Sequence, residues 1–253
     1  SLINIKKFHN FGIFEVGMDK AGEINNLSKI IQPDLAVITN ISYAHIKNFN
    51  NLSEIASAKA EIMNNILPGG TIVLNKDDNY FMFFEKIALR KKLNIISFSK
   101  NKTSSNIYIK KIFNYNSKIK LLLNVNKTEK LFIINKNLKS YIENILASIC
   151  VISQYFELSK IDEKIFLNFK IPNARGNLFK INFNKKSILV TDESYNSNPL
   201  SLEFALNNFN KIRSKSKRKI ILLGDMLELG KFSKKLHLEA AEKVNNTNIN
   251  RVY

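Results

Sequence analysis

LAVITNISYAHIKNFNNLSEIASAKAEIMNNILPGGTIVL, residues Leu35 to Leu74, decides the fold. Leu35–Thr39 (LAVIT) and Thr71–Leu74 (TIVL) are short apolar runs of strand length, rich in β-branched residues. Between them Ser53 is placed to cap a helix running to about Leu67, where Pro68-Gly69-Gly70 ends it. Strand, helix, strand in this spacing predicts two parallel neighbours in a sheet covered by helices, because a parallel pair needs a crossover connection. The rhythm continues on both sides. Phe11–Val16 (FGIFEV) reads as a short buried strand followed by Gly17, Glu23–Ile31 as a helix stopped before Pro33, Asn79–Lys91 as a helix and Ile95–Phe98 as a strand.

After Lys100 the pattern changes. Asn106–Ile112, Lys118–Val125 and Lys130–Ile134 read as short antiparallel strands, Tyr141–Phe156 as a helix and Asp162–Phe169 as a further short helix. Lys170–Asn177 (KIPNARGN) reads as a connection, which puts a domain boundary near residues 168–176. Beyond it come strands at Leu178–Phe183 and Ser187–Thr191, a helix from Pro199 to about Phe209, a strand at Lys219–Leu223 and a helix at Ser233–Val244. The expected fold class is α/β: a mostly parallel sheet flanked by helices with a small antiparallel sheet in 1–170, then a partial Rossmann-like α/β domain in 171–253. Ser1 leads almost directly into a core strand and Val252-Tyr253 reads as the start of another, so a fragment of a longer protein is expected.

Composition bounds the function. The 253 residues are 45% hydrophobic, which excludes a disordered tail and suits one large or two modest domains. No apolar run approaches the ~20 residues of a membrane span, and the opening SLINIKKFHN is not a signal peptide. A lone cysteine, Cys150, excludes an intrachain disulfide and multi-cysteine metal sites, and fits a reducing, cytoplasmic compartment. Its apolar helical setting points to packing rather than nucleophilic chemistry. The formal net charge is +18. Lysines are scattered over almost every segment, as drift toward A/T-rich codons would place them. The one dense run, Lys211–Lys219 (KIRSKSKRK), reads as a solvated connection, with a nucleic-acid footprint as the alternative.

In a parallel sheet, ligands collect at the carboxyl ends of the strands. Glu15 ends the first expected strand and His45 lies in the loop after the second, where the two could share a metal or serve as a salt-bridging and a capping residue. Lys59 is four residues after Ile55 and three before Ile62, on the inward stripe of its helix. There it either snorkels or, desolvated, offers a neutral amine to which carbon dioxide can add. Asn75-Lys76-Asp77-Asp78 follows a strand and suits either a ribose or adenine contact or an Asx turn. Thr191–Pro199 (TDESYNSNP) carries more hydrogen-bonding groups than a turn requires, and Gly224–Gly230 (GDMLELG) follows the strand IILL. No G-x-x-x-x-G-K-[ST] loop, dinucleotide fingerprint or Ser–His–Asp signature is present.

Taken in order, these segments resemble the Mur ligases. The resemblance is carried by Glu15-Val16-Gly17 with Gly22-Glu23-Ile24, by Ile38-Thr39-Asn40 with Ala44-His45-Ile46, and by Ile55-Ala56 through Lys59 to Glu61-Ile62. It continues through Gly69-Gly70 with Asn75 to Asp77, Asn144 through Ala147, Arg175-Gly176, Asp192 through Pro199 and Gly224 through Gly230, spanning nearly the whole chain. Ala44-His45-Ile46-Lys47 replaces the D-H-x-D of other branches, and Glu193–Pro199 replaces the D-Y-A-H-x-P of the tripeptide-forming branch. Both differences resemble the branch that adds D-alanyl-D-alanine.

The resemblance implies an ATP-dependent amide ligase of peptidoglycan precursor synthesis. ATP phosphorylates the terminal carboxylate of UDP-N-acetylmuramoyl-tripeptide, and the amine of D-alanyl-D-alanine displaces phosphate from the acyl phosphate. It implies Mg2+ held by Glu15, His45 and Lys59 as a carbamate, and catalytic roles for Lys59, His45 and Arg175. Nucleotide contacts are implied at Asn75, Asp77, Asn144, Arg175, Asp192, Glu193, Tyr195, Asn196 and Asn198. It also implies a central ATP-binding domain over 1–170, a C-terminal ligase domain over 171–253 and a cytoplasmic monomer binding no nucleic acid. The family's phosphate loop, its UDP-sugar-binding domain and the end of its C-terminal domain are not in the sequence, so this fragment is expected to be inactive alone. Tyr141 stands where the family often has Asn. The rival readings are another Mur-type or folylpolyglutamate-type ligase, a basic nucleic-acid-binding module, and a degenerate inactive relative.

Overall fold

Leu35–Ile38 (β1) and Thr71–Asn75 (β2) pair in parallel, with Leu35 opposite Thr71 and Ile38 opposite Leu74. Asn94–Ser99 (β3) continues the parallel sheet beside β2. These strands belong to a computed structural model that describes residues 5–184, 186–212 and 218–253. The chain divides into two units, one of residues up to Ile41 with Asn51–Leu167, the other of Ser42–Asn50 with Asn168–Tyr253.

In the first unit the sheet has six strands in the order β1 to β6. Ile107–Tyr115 (β4) pairs in parallel with β3 only at Phe98–Ile107 and Ser99–Tyr108, then turns the sheet antiparallel through Lys118–Val125 (β5) and Thr128–Asn135 (β6). The expected small antiparallel sheet is therefore the continuation of the parallel one. Glu23–Ile31 (α1), Leu52–Ala60 (α2), Phe81–Arg90 (α3) and Ile142–Tyr155 (α4) complete this unit. Alternate strand residues point to opposite faces. Ile72 and Leu74 of β2 join Ala56 and Ala60 of α2 and Phe81, Phe84 and Ala88 of α3 in one buried cluster. Val73 is also fully buried, and α4 packs on β2 and β3 with Ile145, Leu146, Ile149 and Cys150 buried. Burial pushes the Cys150 thiol far above its usual range, as befits an inert packing residue.

Four local readings change. The helix expected to reach about Leu67 ends at Ala60 and passes into a 3-10 turn over Glu61–Asn64. The cap of α2 is Asn51, whose extended backbone precedes the helix and whose Oδ1 accepts from Glu54 N at 3.0 Å; Ser53 already lies inside the first turn. Phe11–Val16 forms no strand: Ile13 is 93% exposed, and Phe11 rests against the rings of Tyr155 and Phe156 at the end of α4. An apolar run becomes a strand only with a neighbour to pair with, and β1 is the sheet's edge among the described residues. Asp162–Phe169 forms turns instead of a helix. Asp162 Oδ1 accepts from Lys164 N at 2.9 Å and the Glu163 carbonyl takes the Ile133 amide, so two of the groups a helix would use are committed elsewhere.

In the second unit Asn177–Phe183 (β7) and Lys186–Asp192 (β8) form an antiparallel hairpin. Pro199–Lys211 (α5) and Ser233–Asn245 (α6) pack together, and Ile220–Ile221 (β9) pairs in parallel with Arg251–Val252 (β10). Of the basic run Lys211–Lys219, residues 213–217 lie outside the described residues. Among the described residues no helix is long and apolar enough to cross a membrane.

The turn into β2 depends on Gly70. A Cβ there would lie 2.6 Å from both Asp34 O and Ile66 Cγ2, and Asp34 O accepts from Thr71 N at 2.9 Å. Gly70→Ala is expected to destabilise the first unit by about 1–3 kcal/mol through overpacking, read as a lower urea midpoint for exposure of the Cys150 thiol.

Candidate functional site

At the carboxyl ends of β1 and β2, Lys59 reaches inward from the last turn of α2. It is half-buried, and its Nζ donates to the Asn40 carbonyl at 3.0 Å. Desolvation lowers the pKa of Lys59, and the negative charge of Asp78 opposes that shift in part. Asp78 is itself held firmly: Oδ2 accepts from Ile41 N and Oδ1 from Tyr80 N, each at 2.8 Å. Sequence reasoning marked the loop containing Asp78 and chose Asp77 from it as a nucleotide contact; that Asp78 bears on the lysine shows only in the fold.

The two residues selected in that loop build the corner. Asn75 is buried, and its Oδ1 accepts from Asp77 N at 2.9 Å in an Asx turn. Asp77 ties β2 to β3 by accepting from Ser99 Oγ at 2.6 Å and Lys100 N at 2.7 Å. Asn144 is exposed in the first turn of α4. Glu15 is exposed in an irregular segment, with no hydrogen bond or ion pair among the described residues.

In the second unit the loops around Arg175 and Asp192–Tyr195 are laced together by their backbones. Gly176 N donates to Asp192 O at 2.7 Å and Tyr195 N to Ala174 O at 3.0 Å. The Arg175 guanidinium lies over the Tyr195 ring, 4.0 Å from its centroid. Gly176, at φ +91°, leaves space that Glu193 uses: a Cβ there would sit 3.1 Å from Glu193 Oε1. Partial burial, with the charge of Asp192, pushes the Glu193 carboxyl up, while hydrogen bonds from the Ser194 hydroxyl and amide hold Asp192 below its usual range. Asn198 is the cap of α5, in a reciprocal box with Ser201, and Asn196 accepts from Ser197 N. Arg175, Asp192, Glu193 and Tyr195 thus form one cluster, and Asn198 sets the start of the helix behind it.

His45 belongs to the short segment Ser42–Asn50 that groups with the second unit. Its backbone is left-handed, and Nδ1 lies 2.5 Å from Glu228 Oε2. Lys47 N donates to the Glu228 carbonyl at 2.8 Å, and Lys231 Nζ to Asn50 Oδ1 at 2.8 Å. Beside this contact, Asp225–Lys231 and the start of α6 line an open cavity of about 840 Å³. Glu228 was visible in sequence only as part of GDMLELG, with nothing to connect it to a histidine so far away in the chain.

The model of the Mur ligase middle domain matches residues 2–152. The chain belongs to the Mur ligase middle-domain family. Along the whole chain, it is 33% identical to the UDP-N-acetylmuramoyl-tripeptide--D-alanyl-D-alanine ligase of Buchnera aphidicola subsp. Baizongia pistaciae, over 100% of this chain and 53% of that protein. It superposes on MurF from Acinetobacter baumannii with a TM-score of 0.84 at 23% identity, covering 99% of this chain and 53% of that one. On the MurF ligase from Thermotoga maritima in complex with ADP the TM-score is 0.76 at 24% identity, covering 93% and 52%. At such identities the superpositions speak for the fold alone. The chain spans about half the length of the curated relatives it matches.

The lowered pKa of Lys59 in this Mur ligase middle domain has a signed consequence. Between that value and the ordinary pKa near ~10.4, the unfolded chain binds more protons than the native one, so native stability rises with pH across the window. Relative to Lys59→Met, the native protein is expected to gain stability from pH 8 to pH 10.5, measured by urea unfolding at each pH.

Proposed function

We propose that this chain is the ATP-handling part of a ligase that adds D-alanyl-D-alanine to UDP-N-acetylmuramoyl-tripeptide, with its central domain over 1–170 and its C-terminal ligase domain over 171–253. The observation that carries the reading is the match to a D-alanyl-D-alanine ligase along the entire chain, 33% identical over 258 aligned residues. Carboxylate activation by ATP sets the physical problem, since an anionic oxygen must approach an anionic phosphate. Arg175 supplies a cation whose direction is restrained by the ring of Tyr195. In this reading Asp192, Glu193, Tyr195 and Asn196 contact the nucleotide, and so do Asn75, Asp77 and Asn144. The internal hydrogen bonds of Asn75, Asp77 and Asn198 assign them to shaping the loops as well.

The donor chemistry suits a hard cation. Glu15 offers an uncommitted carboxylate, and Lys59, with its lowered pKa, has more of the neutral amine that takes up carbon dioxide and becomes an oxygen donor. Glu15, His45 and carbamylated Lys59 would hold Mg2+, which when bound supplies charge neutralisation at the phosphates. The Asn40 carbonyl and Asp78 orient Lys59. A cytoplasmic setting follows from the substrates of this reading.

The test is a substrate panel on the complete gene product. ATP is expected to release phosphate only when UDP-N-acetylmuramoyl-tripeptide and D-alanyl-D-alanine are both present. Turnover with a folate and glutamate instead selects the folylpolyglutamate-type reading, and salt-sensitive nucleic-acid binding without turnover selects the basic-module reading. Lys59→Ala is expected to abolish ligation, with partial rescue by added short carboxylic acids. Full activity in that variant rules out the carbamate.

A further inference from the structure

We infer that Glu228 is a positioning residue for His45: its carboxylate keeps the imidazole proton on Nδ1 and leaves Nε2 as the lone-pair nitrogen. The value of that lone pair to a metal rests on the reading of His45 given above; the positioning itself does not.

The geometry is specific to one ring nitrogen. His45 Nδ1 is buried and has no aligned hydrogen-bond acceptor, and Glu228 Oε2 lies 2.5 Å from it. A neutral imidazole has one donor and one acceptor nitrogen, and a carboxylate beside Nδ1 stabilises the form protonated there. Metal-binding histidines commonly direct their second nitrogen to such a carboxylate, which sets the tautomer and the ring direction.

The backbone is shaped to make the contact. His45 at φ 59°, Glu228 at φ 60° and Gly230 at φ 51° are all left-handed, a conformation that non-glycine residues rarely adopt. Lys47 N donates to the Glu228 carbonyl at 2.8 Å, so the main chains around acid and base are joined as well as their side chains. Gly230 permits the approach, because a Cβ there would lie 2.9 Å from Lys47 Cα.

The other two of the chain's three histidines supply internal references. His9 Nδ1 accepts from Lys6 N at 3.1 Å, which places its proton on Nε2. His237 Nε2 accepts from Met226 N at 3.2 Å and its Nδ1 lies 2.8 Å from Ser233 O, which places its proton on Nδ1.

The experiment is long-range 1H–15N spectroscopy of the metal-free 253-residue chain near pH 8, for the native protein and Glu228→Asn. Asparagine tolerates the left-handed backbone, and its short, uncharged side chain withdraws the carboxylate. The native His45 ring is expected to show the Nδ1–H pattern of His237, and in Glu228→Asn to move to the Nε2–H pattern of His9, with both reference rings unchanged. If Glu228→Asn loses the reference signals through misfolding, Glu228→Gly, relaxed at φ 60°, carries the same expectation. A His45 ring protonated on Nε2 in the native chain, charged there at that pH, or unaltered by the folded variant overturns the inference. Added Mn2+ separates it from the metal reading: native His45 should broaden, and the variant should need about 10–100-fold more ion for equal broadening. A tautomer change without broadening leaves the inference standing and removes His45 as a ligand. Broadening without a tautomer change does the reverse.

Discussion

A parallel pair of strands cannot be closed by a tight turn, and the first unit is organised around that constraint. Helix α2 must carry the chain back across the sheet between β1 and β2, so its apolar side is buried from Ile55 to Ala60. Any polar group on that side needs a partner at the sheet's end. Lys59 meets the requirement with the Asn40 carbonyl and the field of Asp78. The chemistry assigned to this lysine is a by-product of the crossover: a cation placed where the helix had to be apolar loses water, and its amine becomes more available.

The corner after β2 shows how much polar structure serves the sheet itself. Asn75, Asp77 and Asp78 lie within one four-residue loop, yet their oxygens go to three places: the Asx turn, the end of β3 and the loop after β1. Each bond satisfies a backbone or side-chain donor that the ending strands leave without a ladder partner. The loop therefore stiffens the strand ends against which the lysine stands. The lacing of Ala174–Gly176 to Asp192–Tyr195 does similar work in the second unit, and it holds a guanidinium over an aromatic face.

Much of this was legible in the residues. The apolar runs mark most of the strands and Asn198-Pro199 the start of α5, because turn chemistry and burial act locally; Pro68-Gly69-Gly70 marks the turn into β2 but not the end of α2, which stops at Ala60. The inward place of Lys59 followed from helical spacing alone. Phe11–Val16 and Asp162–Phe169 were misread for a common reason. Their composition suits an element, but pairing and hydrogen-bond competition, which depend on distant residues, decided otherwise.

By itself, then, the sequence determined most of the order of elements, the α/β class and the family, since these follow from periodicity and from motifs strung in order along the chain. Tertiary structure alone decided which acid answers which base. Asp78 bears on Lys59, and Glu228 stands against His45. Electrostatic interaction depends on distance and desolvation in space, and separation along the chain carries no record of either.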